Sequence, residues 1–306
     1  MLVPARPPEP SVASLRDTPG DDGSLALYWR FYWAVAAAQL ARWLPRRPSR
    51  VLDLAGGTVR SGAQAAAAGH RVIEVVDPHL GRHRPTALAP DGKAGNGAQA
   101  NGTSPAAIGK ILPAGYGPPP ARPAAASGTA DAAETRGTNR RRVIADSGSL
   151  RFLTDASIDA VIAENRVLSR HLVTEAAVAE IARVLRPGGR VLLSVDSLTL
   201  GMALLAEQNY WAHLSDVPSA EVLLVPWPDG TITRCFWADQ LRELLTEAGL
   251  EVEWIRPRTV LSPSTVEHVL TASPRALPRL VRTELSAPMN DDSLGVHLLA
   301  SARRPA

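Results

Sequence analysis

The feature that most constrains the fold is a strand, a glycine turn, a helix and a second strand over residues 49–77. Residues 49–54, with Val51, Leu52 and Leu54, predict a buried strand that leads into the glycine cluster of VLDLAGGTVRSG. Residues 63–68 are strong helix formers that end at Gly69, a typical C-terminal cap. Residues 71–77 are a second apolar strand. This order is the βαβ unit of an open α/β sheet, in which a helix joins two parallel strands.

Helices and strands continue to alternate along the rest of the chain. The spacing of apolar residues predicts helices over 24–44, 174–185 and 238–248. It also predicts strands over 142–145, 158–163, 190–194, 250–255 and 295–302. Because strands and helices alternate throughout, we expect one α/β domain. Its fold class is a Rossmann-like, doubly wound and mostly parallel seven-stranded sheet with helices on both faces.

Two segments lack this alternation. Residues 1–23 carry repeated Pro, Asp and Gly with few apolar side chains, which predicts a disordered N-terminal tail before a domain over 24–306. Residues from about 82 to 140 are rich in Gly, Ala, Pro and Ser and follow no helix or strand period. We therefore expect a low-complexity disordered insert there, with a substrate lid as the alternative.

Charge and cysteine content narrow the possible functions. The formal net charge is +3 and comes from scattered Arg residues, with no basic run longer than 140–142. A nucleic-acid-binding protein usually has a clustered basic stripe, so this distribution argues against a nucleic-acid partner. Cys235 is the single cysteine, which excludes a disulfide within the chain and a Cys-based metal site. His, Asp and Glu show no ligand spacing either, so we expect no metal.

The chain has no sequence signal for export or membrane insertion. Its N-terminus lacks the basic start and apolar run of a secretory signal. The longest apolar candidate, residues 33–44, is interrupted by Gln39 and Arg42 and is too short to span a bilayer. We therefore expect a cytoplasmic protein with no membrane partner.

Two carboxylates follow the two strands of the βαβ unit. Asp53 precedes Ala55, Gly56 and Gly57, where glycine lets the backbone approach a ligand and the next helix offers unpaired N–H groups. Asp77 ends the second strand, where a carboxylate can accept hydrogen bonds from the two hydroxyls of a ribose. The nicotinamide fingerprint G-x-G-x-x-G is absent, because the chain reads A-G-G-T-V-R from Ala55. This difference argues against a nucleotide-binding oxidoreductase.

Later segments extend this pattern. The run VIADSGSLRFLTDASIDAVIAENRVLSRH precedes AVAEIARVLRPGGRVLLSVDS, and FWADQLRELLTEAGLEVEWI and GVHLLASARRP follow. Together with VLDLAGGTVRSG and VVDP, and in this order, they resemble the class I S-adenosylmethionine (SAM)-dependent methyltransferases, in particular their type 11-like domain. The resemblance covers most of the chain outside the insert. It implies a Rossmann-like fold, SAM as the cofactor and methyl transfer as the activity.

The resemblance also implies residue roles. Asp53, Gly56 and Gly57 would hold the methionine end of SAM, Asp77 would bind the ribose, and the adenine would lie beside Asp146 and Ser147. The implied cofactor-binding set is Asp53, Ala55, Gly56, Gly57, Asp77, Asp146 and Ser147. This chain departs from the family at three points. Val59 stands where the third glycine is usual, Ala55 replaces the first glycine, and the step from Asp53 to Asp77 is one residue longer than expected.

The resemblance places two candidate catalytic residues after the fourth predicted strand. Methyl transfer from a sulfonium is an in-line displacement, so the enzyme mainly aligns the acceptor, and an oxygen nucleophile also benefits from a base. His171 occupies a position where the family often has His, and Glu164 lies just past the strand. The alternatives are a surface or helix-start role for His171, and for Glu164 simple solvation or a pair with Arg166.

The predicted function is therefore transfer of a methyl group from SAM to an oxygen, nitrogen or carbon of a small molecule. Three alternatives stay open: a non-catalytic SAM-fold binding protein, a nucleotide-binding oxidoreductase, and a methyltransferase that acts on RNA or protein. Residues 199–234 hold no motif that identifies the acceptor.

Overall fold

The computed structural model describes residues 15, 25–56, 60–78, 139–217, 220, 222–227, 231–287 and 295–306. The chain divides into two units, Met1–Arg84 with Gly137–Ala306, and Pro85–Arg136. The second unit lies entirely outside the described residues. The predicted tail, except residue 15, and the predicted insert up to residue 138 also lie outside them. Regular structure is present from Arg140 onward, so a strand begins at the last residue assigned to the insert.

The described residues form eight α-helices and nine strands. The helices are α1 (Ala26–Trp43), α2 (Ser61–Ala67), α3 (Thr174–Val184), α4 (Leu198–Glu207), α5 (Trp211–Asp216), α6 (Ala238–Glu247), α7 (Pro263–Ala272) and α8 (Leu277–Ser286). The strands are β1 (Arg50–Asp53), β2 (Arg71–Val76), β3 (Arg140–Ile144), β4 (Ile158–Ala163), β5 (Leu185–Ser197), β6 (Leu223–Pro226), β7 (Ile232–Phe236), β8 (Glu251–Pro257) and β9 (His297–Arg303). Among these helices, none combines the length and the apolar character that a membrane crossing needs.

All nine strands belong to one sheet. Strands β3, β2, β1, β4 and β5 are parallel neighbours in that order. Strand β9 then pairs antiparallel with β5, and β8 pairs antiparallel with β9. The doubly wound, mostly parallel arrangement is confirmed. The expected strand number is too low, because the hairpin of β6 and β7 adds two strands between Leu223 and Phe236.

The hairpin extends the sheet at the carboxyl end of β5. Strand β4 ends at Ala163, which pairs with Leu193 of β5. Further along β5, Asp196 has Cys235 of β7 on one side and His297 of β9 on the other. Strand β7 thus takes the place beside β5 that β4 has left. It brings the buried Cys235 and its neighbours to the edge of the sheet where ligands of open α/β folds gather.

Apolar side chains on both faces hold the sheet between its helices. Central parallel strands are buried on both sides, which explains why each has consecutive apolar residues at its centre, namely residues 51–52 of β1, 160–163 of β4 and 191–193 of β5. Leu52 of β1 packs in one cluster with Ile181 of α3 and Leu241 of α6. The next side chain, Val51, belongs to a second cluster with Leu40 of α1. Each fully buried side chain of this kind stabilises the fold by about 1.5–3 kcal/mol.

A separate aromatic cluster joins α1 to the helices near the C-terminus. Tyr28 and Tyr32 of α1 are buried against Val266 and Leu270 of α7. Helix α7 begins where Ser262 accepts a hydrogen bond from the Thr265 amide and Pro263 occupies the first turn, both standard start signals. No element was predicted for this segment, although its start carries these signals. Tyr32 also packs against the ring of His297, which lies opposite Asp196 near the carboxyl end of β5, so α1 passes beside this end of the sheet.

Candidate functional site

The carboxylate of Asp53 closes the turn after β1. Asp53 is fully buried; its Oδ1 accepts the Ala55 amide at 3.0 Å and its Oδ2 accepts the Ser61 hydroxyl at 2.8 Å. Burial raises the pKa of Asp53 to about 6, and the Ser61 and Ala55 hydrogen bonds oppose that rise. Both oxygens therefore hold the protein's own turn and the start of α2. Asp53 therefore fixes the conformation of the turn that carries the predicted cofactor contacts.

Gly56 is required by the close approach of this turn to β2. A Cβ at Gly56 would lie 2.4 Å from the carbonyl oxygen of Val75, a distance that no side chain tolerates. The turn therefore passes directly over the β2 backbone. Gly57 and Val59 lie outside the described residues, so the cofactor role of Gly57 and the effect of Val59 stay predictions.

Gly62, which the sequence analysis did not single out, lies between two carboxylates that a larger residue would push apart. A Cβ at Gly62 would lie 2.7 Å from Asp53 Oδ2 and 2.4 Å from Glu74 Oε1. Glu74 is buried on β2 and pairs with Arg142 at 2.9 Å and with Arg140 at 3.5 Å. The two arginines of β3 compensate the charge of Glu74 beside Asp53. The position of Gly62 at the start of α2, where a helix former would be usual, was the available signal.

Asp77, Ser147 and His171 form a chain of hydrogen bonds across the ends of β2, β3 and β4. Asp77 Oδ2 accepts the Ser147 amide at 2.8 Å and the Ser147 hydroxyl at 2.7 Å. The same hydroxyl lies 2.8 Å from His171 Nε2. Asp77 and Ser147 are buried and His171 is half-buried. The structure thus joins three residues that the sequence analysis assigned to ribose, adenine and catalysis.

Asp146 adds a second carboxylate beside the same imidazole. Its Oδ1 accepts the amide of Gly148 at 2.7 Å, which turns the chain directly after β3. Burial lowers the pKa of His171, while the charges of Asp146 and Asp77 raise it, and the net direction is downward. The imidazole is therefore neutral near pH 7.

Asp77, Asp146 and His171 also have the spacing of a possible metal site, since their ligand atoms lie within 4.8 Å of one another. Ligand spacing along the chain predicted no metal, because these residues follow three separate strands and meet only in the folded sheet. The Ser147 hydroxyl already bridges Asp77 and His171. We assign no metal to this cluster.

Glu164 belongs to a different hydrogen-bond network, directly after β4. It is buried and forms an ion pair with Arg258, whose Nη1 donates to Gln39 Oε1 at 2.8 Å. Arg166 faces Asp196 at 3.5 Å, and the alternative pairing of Glu164 with Arg166 stays a prediction. Sequence reasoning missed Arg258 because its segment carries no motif.

The buried end of β5 completes this network. Asp196 Oδ2 accepts the Thr233 hydroxyl at 2.6 Å, and Asp196 Oδ1 lies 3.5 Å from His297 Nε2. Burial lowers the pKa of His297 well below its usual value, and the charges of Arg166 and Arg258 lower it further. His297 is therefore neutral, and the network consists of two ion pairs around an uncharged imidazole.

The turn between β4 and this network is strained. Asn165 and Arg166 are consecutive non-glycine residues with left-handed backbone, at φ values of 54° and 57°. Such conformations persist only where the surrounding structure holds them, and they concentrate at functional sites. The hydrogen bond from the Arg166 amide to Ser194 Oγ, at 3.3 Å, is one such restraint.

Comparison with known proteins supports a methyltransferase domain. A family model described as a methyltransferase domain matches residues 125–193, a segment that contains Asp146, Ser147, Glu164 and His171. This match supports the resemblance to class I methyltransferases, whose cofactor is SAM. The elements around the matched segment have the expected Rossmann-like order. No curated protein matches this chain.

Several solved structures are similar to this chain. The 1,6-didemethyltoxoflavin-N1-methyltransferase of Burkholderia thailandensis, with 1,6-didemethyltoxoflavin and S-adenosylhomocysteine bound, is 20% identical with a TM-score of 0.47, over 91% of this chain and 81% of that chain. A SAM-dependent methyltransferase of Methanosarcina mazei is 15% identical with a TM-score of 0.46, over 87% and 97%. One from Mesorhizobium loti is 16% identical with a TM-score of 0.44, over 93% and 100%. Similarity at this level carries no information about the acceptor.

Proposed function

We propose that this protein transfers a methyl group from SAM to an oxygen, nitrogen or carbon atom of a small molecule. The observation that carries the proposal is the Asp77–Ser147–His171 chain of hydrogen bonds. It lies at the carboxyl end of parallel strands, where open α/β sheets bind their ligands. It also combines an acceptor for ribose hydroxyls with a neutral imidazole.

The residues present fit the cofactor. Asp77 provides the carboxylate for the ribose hydroxyls, and Asp146 with Ser147 follows β3 on the adenine side. The backbone of Ala55, Gly56 and Gly57 would face the methionine end. Asp53 acts on that end through the turn, because both of its oxygens bind groups of the turn and of α2. SAM, when bound, supplies an electrophilic methyl group on its sulfonium.

His171 is the base that we propose for an O–H or N–H acceptor. It is half-buried and neutral, so its imidazole can take up a proton. Glu164 is the second candidate. Its Oε2 is held by Arg258, while its Oε1 is buried and has no hydrogen-bond partner among the described residues.

The choice of a small-molecule acceptor rests on the charge of the chain. The net charge of +3 is spread over separate arginines, and many of those described pair with carboxylates, as Arg183 does with Asp155 and Glu180. Paired charges give little attraction for the phosphates of RNA. This distribution of charge favours a small-molecule acceptor over RNA. The experiment below distinguishes a small-molecule acceptor from a protein acceptor.

The test is a methyl-transfer assay with SAM that carries a labelled methyl group. The full chain is incubated with separate small-molecule, RNA and protein fractions of cell extract. We expect label in the small-molecule fraction, its loss in Asp77→Asn, and its retention in Asp239→Asn, which changes an exposed carboxylate on α6. Label found in RNA or protein would overturn the acceptor class. SAM binding without label in any fraction would support the non-catalytic alternative.

A further inference from the structure

We infer that Asp77, acting through Ser147, holds His171 in the tautomer that carries its proton on Nε2. Ser147 and Asp77 are then positioning residues for the imidazole. The inference about the tautomer follows from hydrogen-bond geometry alone. Its consequence for catalysis rests on the proposed function.

The direction of each hydrogen bond follows from the groups involved. An ionised carboxylate can only accept, and a serine hydroxyl has one proton to donate. The Ser147 hydroxyl lies 2.7 Å from Asp77 Oδ2, so it donates its proton there. The same oxygen lies 2.8 Å from His171 Nε2 and can then only accept. Nε2 must therefore carry the proton, and Nδ1 keeps the lone pair.

The backbone amide of Ser147 helps to fix the direction of these hydrogen bonds. This amide donates to the same Asp77 oxygen at 2.8 Å, so the carboxylate accepts hydrogen bonds from two atoms of Ser147. In the opposite tautomer of His171, the lone pair of Nε2 would face a lone pair of Ser147 Oγ. That arrangement loses the hydrogen bond and places two acceptors 2.8 Å apart.

Gly148 controls how closely the other edge of the ring approaches the backbone. A Cβ at Gly148 would lie 3.0 Å from both Cε1 and Nδ1 of His171, and 3.3 Å from Asp146 Oδ1. A larger residue would push the ring away from Ser147. The charged groups that face the imidazole are Asp77 and Asp146, and both favour an additional proton on it.

The consequence is that Nδ1 is the atom that takes a proton. A proton from an acceptor O–H or N–H would go to the lone pair of Nδ1 and give an imidazolium. Nε2–H would continue to donate to Ser147, so the network need not rearrange. The carboxylate proposed to bind the ribose therefore also sets the orientation of the base.

The tautomer is measured by long-range proton–nitrogen NMR on the full chain labelled with ¹⁵N-histidine. The His171 signals are assigned by their loss in His171→Gln. We expect an unprotonated Nδ1 and a protonated Nε2 near pH 7.5 in the wild type. We expect a mixture of tautomers in Ser147→Ala and the wild-type pattern in Ser147→Thr, which keeps the hydroxyl. His70, whose Nδ1 accepts the Ser49 amide at 3.2 Å, reports whether each variant is folded.

A proton on Nδ1 in the wild type would overturn the inference. So would a folded Ser147→Ala variant with the wild-type pattern. A different result would refute the catalytic role that the proposed function gives to His171. If the Nε2–H tautomer is present but His171→Gln retains full methyl transfer, the tautomer stands and the role of His171 as a base is refuted.

Discussion

Replacement of Arg258 by Met is the most informative perturbation of the buried network. Arg258 is 1% exposed, forms the ion pair with Glu164, and donates to Gln39. Removal of one partner of a buried ion pair strands the other charge, which costs about 3–5 kcal/mol. The Gln39 oxygen loses its charged donor in the same variant, which adds to the cost. We therefore expect Arg258→Met to lower the free energy of unfolding by about 3–5 kcal/mol.

The assay is urea denaturation at pH 7.5 followed by circular dichroism. Two further variants serve as controls for this prediction. Glu164→Gln in the Arg258→Met background removes the stranded charge and should recover at least half of the loss. Arg186→Met breaks the Arg186–Asp159 pair at 2.8 Å, whose side chains are 45% and 29% exposed, and should cost less than about 1 kcal/mol. An Arg258→Met loss as small as that of Arg186→Met would refute the reasoning, and so would a double variant no more stable than the single one.

Three further predictions concern the cofactor turn and the base. Gly56→Ala should weaken S-adenosylhomocysteine binding about tenfold or more, because the added methyl collides with the β2 backbone. Gly69→Ala, which meets no atom within 4 Å, should leave the calorimetric affinity unchanged even though its φ of 91° costs stability. The pKa of Asp53 rises from 3.8 to about 6, so folding favours its protonated form and stability falls as the pH rises through this window. Asp53→Asn should therefore gain about 2–3 kcal/mol relative to the wild type between pH 4 and pH 7 in denaturation titrations, and parallel curves would contradict this. His171→Gln should lower the rate of methyl transfer by about 10²–10⁴-fold without loss of cofactor binding, whereas the exposed His268→Gln should change neither.

The parts of the fold that were predictable have strong local patterns. Strand β4 was predicted with its observed bounds, because Ile158–Ala163 is apolar except for Asp159 and lies between polar residues. The start of β5 was placed too late. Leu185 already pairs with Ile158, and the Arg186–Gly189 segment, which lay between the predicted helix and the predicted strand, is an irregularity within the strand. The β6–β7 hairpin was missed because its strands of four and five residues carry little periodic signal.

The candidate site also contains some residues that could be predicted from the sequence and others that could not. Asp77, Asp146, Ser147 and His171 follow parallel strands, whose carboxyl ends meet at one edge of the sheet, so the sequence pattern was sufficient to bring them together. The partner of Glu164 was not predictable, because Arg258 is 94 residues away in a segment without a motif. Long-range charge pairing depends on how α1 and the end of β8 pack, and no local period encodes it.

Titration of the full chain with SAM by isothermal calorimetry tests the central claim most directly. The account predicts saturable heat for one site per chain in the wild type. Asp77→Asn should bind about tenfold more weakly or worse, since it removes a charged acceptor for the ribose hydroxyls, and Asp239→Asn should bind as the wild type does. Absence of heat in the wild type, or equal affinity in both variants, would contradict the assignment of the SAM site.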